Sequence, residues 1–207
     1  LRARYALGME IIPHTAGSVN IWADDTYLAL TSKDMEGWAD GDNSSSLAEI
    51  GGTGKRIISV GAYVSRNSYQ KEGSDKTFTL DETMDAIASF SSMGPTADGR
   101  IKPEITAPGC YIVSAVSSHD TSLGNLDIAR YGTWNDANYY YAYMQGTSMA
   151  APVVTGVMAT WLQADPKLTP EQVRNILKKT ALRDTHTGVL PEEGNSTWGY
   201  GKIDAWN

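Results

Sequence analysis

Apolar positions along the chain fall into short runs separated by polar or Gly-rich stretches, and then into two longer helical patterns. Ile57–Tyr63 (IISVGAY) is a short apolar run of the kind that forms a buried strand. Ala86–Phe90 and Tyr111–Val116 (YIVSAV) predict two more strands, and the aromatic run Tyr139–Met144 (YYYAYM) predicts a fourth. Loops are predicted at 40–46 (DGDNSSS), 51–54, 94–99 and 117–125. Ser148–Ala164 is long, apolar and rich in small residues (Ala150, Ala151, Gly156, Ala159). That composition predicts a helix lying close against a sheet and buried nearly all round. In Thr169-Pro170-Glu171-Gln172, Thr169 suits an N-cap, Pro170 the first helical position and Gln172 the closing residue of a capping box. Val173, Ile176 and Leu177 give that helix one apolar face, and Lys178 and Lys179 suit the negative end of its dipole. Strand-like runs alternating with helical ones favour α/β layering. No internal repeat and no dividing linker is visible, so residues 1–207 read as a single domain or a large part of one.

Composition narrows the function classes. The chain has 207 residues with 17 Lys+Arg against 24 Asp+Glu, a net charge of −7. That balance argues against nucleic acid as a partner, because phosphate binding needs a basic footprint. A single cysteine, Cys110, excludes an internal disulfide framework, and its place before a predicted strand suits a buried free thiol. The longest mostly apolar run, Met149–Leu162, is interrupted by Pro152 and Gly156 and falls short of the ~20 residues a spanning helix needs. Residues 1–12 carry Arg2 and Arg4 with no long apolar stretch behind them, so no secretory signal is read there.

Several short motifs do not complete. Gly51-Gly52-Thr53-Gly54-Lys55 has the look of a phosphate loop, but Glu49 stands where the first Gly belongs and Arg56 where Ser or Thr belongs. It also precedes a strand, whereas a phosphate loop follows one, so a turn is the simpler reading. Asp40-Gly41-Asp42 begins like a calcium loop, yet Ser45 holds the sixth position and Gly51 the twelfth. No Cys/His cluster has zinc spacing. The residues therefore supply no metal site and call for no cofactor. Asn43-Ser44-Ser45 and Asn195-Ser196-Thr197 match the glycosylation acceptor pattern.

Chemistry concentrates at Gly146-Thr147-Ser148-Met149-Ala150-Ala151-Pro152, where the long helix begins. A serine on a tight Gly turn at a helix start is placed to act as a nucleophile. Gly146 permits the sharp turn, and the unfilled N–H groups with the positive dipole end suit a developing oxyanion. Pro152 is placed in the first turn, where its missing N–H costs little. Ala150 stands where a lipase-type elbow needs Gly, so this is not that motif. An ordinary N-cap serine is the alternative on the residues alone.

GTSMAAPVVTG, Gly146 through Gly156, resembles the nucleophile motif of the subtilases, the subtilisin-like serine peptidases. FSSMGPTADGRIKPEITAPG, Phe90 through Gly109, resembles the SSRGP…DGR.KPD..APG stretch of that family, with Met93 in place of Arg and Glu104 in place of Asp. IISVGAY resembles the family's I.VGA strand, and WGYGKIDAW its G.G.v.a ending. Together they cover about residues 50–207 in the family's order.

The resemblance implies an α/β fold, a three-layer sandwich around a mostly parallel sheet, here incomplete on the N-terminal side. It implies a serine endopeptidase in which Ser148 attacks the scissile carbonyl while Thr147 supports the oxyanion site. The family's Asp motif (D-[ST]-G), His motif (H-G-T) and oxyanion Asn (A-G-N) are not found. Asp25-Thr26 is followed by Tyr27, His14-Thr15 lacks the Gly, His119 sits in polar sequence, and His186 follows Ser148 in the chain. The expectation is therefore a C-terminal part of a subtilase catalytic domain. An upstream segment or a second chain would supply Asp and His, and this chain alone would be inactive. A protein or peptide is the implied substrate, and an extracytoplasmic or secreted location follows from the family alone. Calcium stays open by resemblance, with no site evident in the sequence. The alternative function is a pseudo-peptidase that binds peptides or a partner without cleaving them. Met149 adjoins the nucleophile position, and Trp134, Tyr139, Tyr140, Tyr141 and Tyr143 are candidates for a cleft rim.

Overall fold

The apolar run at 57–63 forms a strand only in its second half, β1 (Val60–Tyr63). In its first half Ser59 O still accepts from Glu104 N at 3.0 Å, but Ile57 O and Ser59 N bond to side chains. Lys102 Nζ donates to Ile57 O at 2.6 Å, and Ser59 N donates to Glu104 Oε2 at 2.8 Å. In the computed structural model, the residues described are 8–12, 14–23, 30–42, 44–47, 52, 54–120, 124 and 126–206. They form β2 (Ser68–Gln70), β3 (Thr77–Thr79), β4 (Ile105–Pro108), β5 (Ile112–Val116), β6 (Asp127–Trp134), β7 (Ala137–Met144), α1 (Thr147–Ala164) and α2 (Pro170–Thr180).

The chain divides into two units, Leu1–Gly41 and Asp42–Asn207, and the boundary falls in the polar loop read at 40–46. In the first unit, Gly41 N donates to Leu30 O at 2.8 Å and Ser32 N to Asp40 Oδ1 at 2.6 Å. Asp40, the first residue of the calcium-like Asp40-Gly41-Asp42, thus serves its own turn.

In the second unit β1 pairs in parallel with β4, from Val60↔Ile105 to Tyr63↔Pro108. Both outer flanks of the pair are taken. Ala62 N donates to Ser91 Oγ (2.9 Å), and Ala88 N donates to Ala62 O (2.9 Å). The predicted strand at Ala86–Phe90 is therefore a flanking segment with one bridge, Ile87↔Tyr63, and not a strand. On the other side Thr106 N donates to Gly201 O, and Ile203 N donates to Thr106 O. Ile105, Ala107, Ala62 and Val64 are fully buried in this layer. The remaining sheets are antiparallel: β2 with β3, and β5-β7-β6. Asn135 and Asp136, with φ of 49° and 59°, join β6 to β7 in a tight two-residue turn that needs two left-handed residues.

α1 lies on β1 and β4 through Ala150 and Val154, flanked by Val153, Val157, Met158 and Trp161. The expectation of burial nearly all round does not hold. Pro152, Gly156, Ala159 and Leu162 are exposed, because the parallel layer covers one side of the helix only. α2 starts with the predicted capping box: Thr169 Oγ1 accepts from Gln172 N and Gln172 Oε1 accepts from Thr169 N. Val173 and Leu177 bury its apolar face.

Two buried cations fasten this frame. Lys102 and Glu104, 2% and 5% exposed, form an ion pair at 2.5 Å. Arg174 of α2 adds a bond to Glu104 Oε1 at 3.4 Å, so one carboxylate holds the start of β4, the approach to β1 and α2. Lys202 lies over the Tyr63 ring, 4.7 Å from its centroid, and donates to Asp184 Oδ2 at 2.6 Å. Burial pushes the Asp184 carboxyl up. The Lys202 ammonium and the amides of Thr187 and His186 outweigh that push and hold it at about 2.

Removing one partner of a buried pair leaves an uncompensated charge. Lys102→Met is therefore expected to lower stability by about 3 kcal/mol, read as a fall in the urea midpoint with an unchanged slope. Asp184 makes a pH-dependent contribution of the depressed-carboxyl type. It is fully present above the ordinary value of 3.8 and is lost as pH falls towards about 2. Asp184→Asn should flatten the stability–pH curve across that window, followed by circular dichroism in urea titrations at each pH.

Candidate active site

β4 ends at Pro108, and Gly109 then meets the start of α1. Gly146 N donates to Gly109 O at 2.9 Å, while Gly109 N donates to Tyr63 O at 3.1 Å. A Cβ on Gly109 would stand 2.5 Å from the Ala62 Cβ and 3.1 Å from Gly146 O, so only glycine fits. Gly146 itself has φ 142° and ψ 163°, a backbone region that L side chains rarely adopt. The two glycine motifs, Ala107-Pro108-Gly109 and Gly146-Thr147-Ser148, are thus two sides of one contact. The sequence shows both motifs, but nothing in their separation shows that they touch.

Gly146 is the N-cap of α1, and its carbonyl accepts from Met149 N (3.0 Å) and Ala150 N (3.3 Å). Thr147 and Ser148 are the first two helical residues. Their N–H groups have no acceptor among the described residues, as the geometry of a helix start dictates. Ser148 is exposed and Thr147 half-buried. Ser148 Oγ makes no hydrogen bond among the described residues. The arrangement offers a reachable hydroxyl beside two outward N–H donors at the positive end of an 18-residue helix. Pro152 lies beyond the first turn, not in it as the sequence reading placed it. Its missing N–H leaves the Ser148 carbonyl without its usual intrahelical donor.

Comparison with known proteins then decides the family. The family model described as the subtilase family matches residues 22–201. The chain is 33% identical over 167 residues to serine protease AprX of Bacillus subtilis (strain 168), a match covering 81% of this chain and 32% of that protein. It is 37% identical over 137 residues to the uncharacterized protein aq_aa18 of Aquifex aeolicus (strain VF5), covering 64% and 53%. It is 38% identical over 128 residues to the minor extracellular protease Vpr of Bacillus subtilis (strain 168), covering 58% and 14%.

The chain belongs to the subtilase family. The α/β fold, with α1 on a parallel pair, is the family's layering in the part present here. The matches span about a third, a half and a seventh of the three relatives.

Among the described residues, the others singled out in this subtilase chain make no hydrogen bond to the turn. In the second unit, His119 and His186 are exposed. Their backbone amides donate to Ser117 Oγ (3.2 Å) and Asp184 Oδ1 (2.9 Å), and neither side chain bonds to Ser148. His14 is exposed in the first unit. Asp25, and Gly51 and Thr53 of the glycine-rich turn, lie outside the described residues. Cys110 is fully buried and free, and burial with the nearby Glu82 carboxylate pushes its thiol up to about 11, which leaves it no thiolate at neutral pH. Asn195 Oδ1 accepts from Thr197 N and Trp198 N, so the side chain of that acceptor pattern caps a turn. The aromatic residues divide. Trp134, Tyr139 and Tyr141 are exposed, Tyr140 packs on Tyr131, and Tyr143 joins Tyr69 and Tyr111.

Gly146→Ala is expected to cost about 1–3 kcal/mol in thermal unfolding because of its backbone angle, not for lack of room. Gly132→Ala, at an open position on β6 with no positive φ, should stay within about 0.5 kcal/mol of the parent.

Proposed function

We propose that this chain is the nucleophile-bearing part of a serine endopeptidase and that Ser148 is the residue that forms the acyl-enzyme. The observation that carries this reading is an exposed serine hydroxyl at the start of α1, on a turn held by the Gly109–Gly146 contact, beside unfilled backbone N–H groups. In the reaction, Ser148 Oγ attacks the scissile carbonyl, a histidine takes the hydroxyl proton and returns it to the leaving amine, and water then releases the acyl group. The Ser148 amide donates to the oxyanion, and Thr147 supports that site. Subtilase membership and relatives described as proteases support the assignment.

The base, its aspartate and the oxyanion Asn come from a segment upstream of Leu1 or from a second chain. Loss of the base alone costs subtilisin about 2 × 10⁶ in kcat, so the 207-residue chain by itself is inactive. The substrate is a protein or peptide, and the working location is extracytoplasmic, in keeping with relatives such as Vpr, described as a minor extracellular protease. Among the described residues no helix is long and apolar enough to cross a membrane.

A fluorophosphonate reacts only with a serine activated by a working base. Intact mass after treatment should show no adduct on the pure chain. An adduct should map to Ser148 when the upstream part is present, and Ser148→Ala should abolish it. An adduct on the pure chain would overturn the claim of inactivity. No adduct on the complete protein would leave a pseudo-peptidase as the reading.

A further inference from the structure

The turn that presents Ser148 is approached by two lengths of chain. One is Gly109-Cys110-Tyr111, which carries the carbonyl that binds Gly146 N and runs into β5. The other is β7, which ends at Met144, two residues before Gly146. Ile112 faces Met144 across the β5–β7 ladder, so the two lengths meet at a neck just before the turn. At that neck Tyr111 holds φ at 48°. A bulky residue in the left-handed region is strained and persists only where its surroundings hold it.

One side chain from outside the neck touches both lengths. The Tyr69 ring of β2 meets the Tyr111 ring edge-on, with centroids 4.3 Å apart, and the Tyr143 ring of β7 at 4.6 Å. Tyr69 is itself backed by Phe78 of β3 at 5.3 Å. Its hydroxyl donates to the Asp127 carboxylate of β6, which Lys71 pairs at 2.5 Å. Through Tyr69 the β2–β3 hairpin fastens both lengths of chain that converge on the nucleophile.

We propose that Tyr69 is a positioning residue: by gripping Tyr111 and Tyr143 it holds the strained backbone of Tyr111, and so keeps Gly109 O on Gly146 N and Ser148 in place. Its importance to the reaction rests on the function proposed above, while the clamp itself does not.

Amide hydrogen exchange on the folded chain tests it without any activity. Tyr69→Ala should speed exchange of the Gly146 N–H about tenfold, as loss of two aromatic contacts would. The Ala88 N–H, bonded to Ala62 O in the same core, should not change. Tyr69→Phe keeps the ring and loses only the bond to Asp127, and should give about threefold; it decides the matter should Tyr69→Ala fail to fold. Tyr111→Gly accepts the left-handed angle without strain. In that background Tyr69→Ala should change Gly146 exchange by less than about twofold. Unchanged Gly146 exchange, or equal acceleration at Ala88, overturns the proposal, and a full effect in the Tyr111→Gly background overturns the route through Tyr111. In the complete protein, fluorophosphonate labelling of Ser148 should slow in step with Gly146 exchange. A wild-type protein that never labels overturns the assigned function and not the clamp.

Discussion

The contact between Gly109 and Gly146 is the constraint on which the rest of the site depends. It is a single hydrogen bond, worth on the order of 1 kcal/mol. Its value lies in what it excludes. A Cβ on Gly109 would collide with Ala62 of β1, so the end of β4, the neighbouring strand and the start of α1 can close together only through glycine. Once Gly146 N is held there, its carbonyl starts the helix, and Ser148 must emerge two residues later with its amide pointing outward. The position of the hydroxyl follows from backbone geometry and not from any bond that Ser148 makes.

That geometry is only as firm as β4, which is fastened at both ends. At its start, Lys102 and Glu104 bury a charge pair against the approach to β1 and against Arg174 of α2. At its middle, Thr106 accepts and donates to the C-terminal segment at 201–203. At its far end sits Gly109. The long motif from Phe90 to Gly109 therefore reads as one mechanical element, with ion pairs at one end and a close glycine approach at the other. Substituting Glu104 for the family's usual Asp keeps a carboxylate that reaches both Ser59 N and Lys102 Nζ.

Much of this was legible in the sequence. The capping box of α2, the span of α1, the buried thiol of Cys110 and most of β5 and β7 follow from local pattern, because each depends on neighbours in the chain. The parts that were not legible depend on partners far away. Ala86–Phe90 has a strand's composition, but its bonds from Val64 N to Ala86 O and from Ala88 N to Ala62 O make one bridge, Tyr63↔Ile87, and no ladder. At Ile57–Ser59 the side chains of Lys102 and Glu104 take Ile57 O and Ser59 N, and the backbone keeps the bond from Glu104 N to Ser59 O. The apolarity of α1 says that the helix prefers burial, not how much of it this chain covers. The positive φ of Tyr111 has no signal at all, since turn chemistry would place Gly or Asn there.

Magnitudes separate what this turn can do by itself from what it cannot. The field at a helix N-terminus is worth about 0.3–1 kcal/mol at an exposed position. Lacking a base costs a factor of about 2 × 10⁶, or roughly 9 kcal/mol of barrier. In the reaction proposed above, the dipole and the N–H groups of the turn therefore serve to stabilise an oxyanion once it forms and do not by themselves activate Ser148. On the function proposed above, the turn sets the geometry of the nucleophile and a histidine supplies the proton transfer. A frame this rigid is of use to a reaction only if the base can be brought to it within hydrogen-bond reach, so a fixed Ser148 turn is the natural reference point around which the rest of such an active site would assemble.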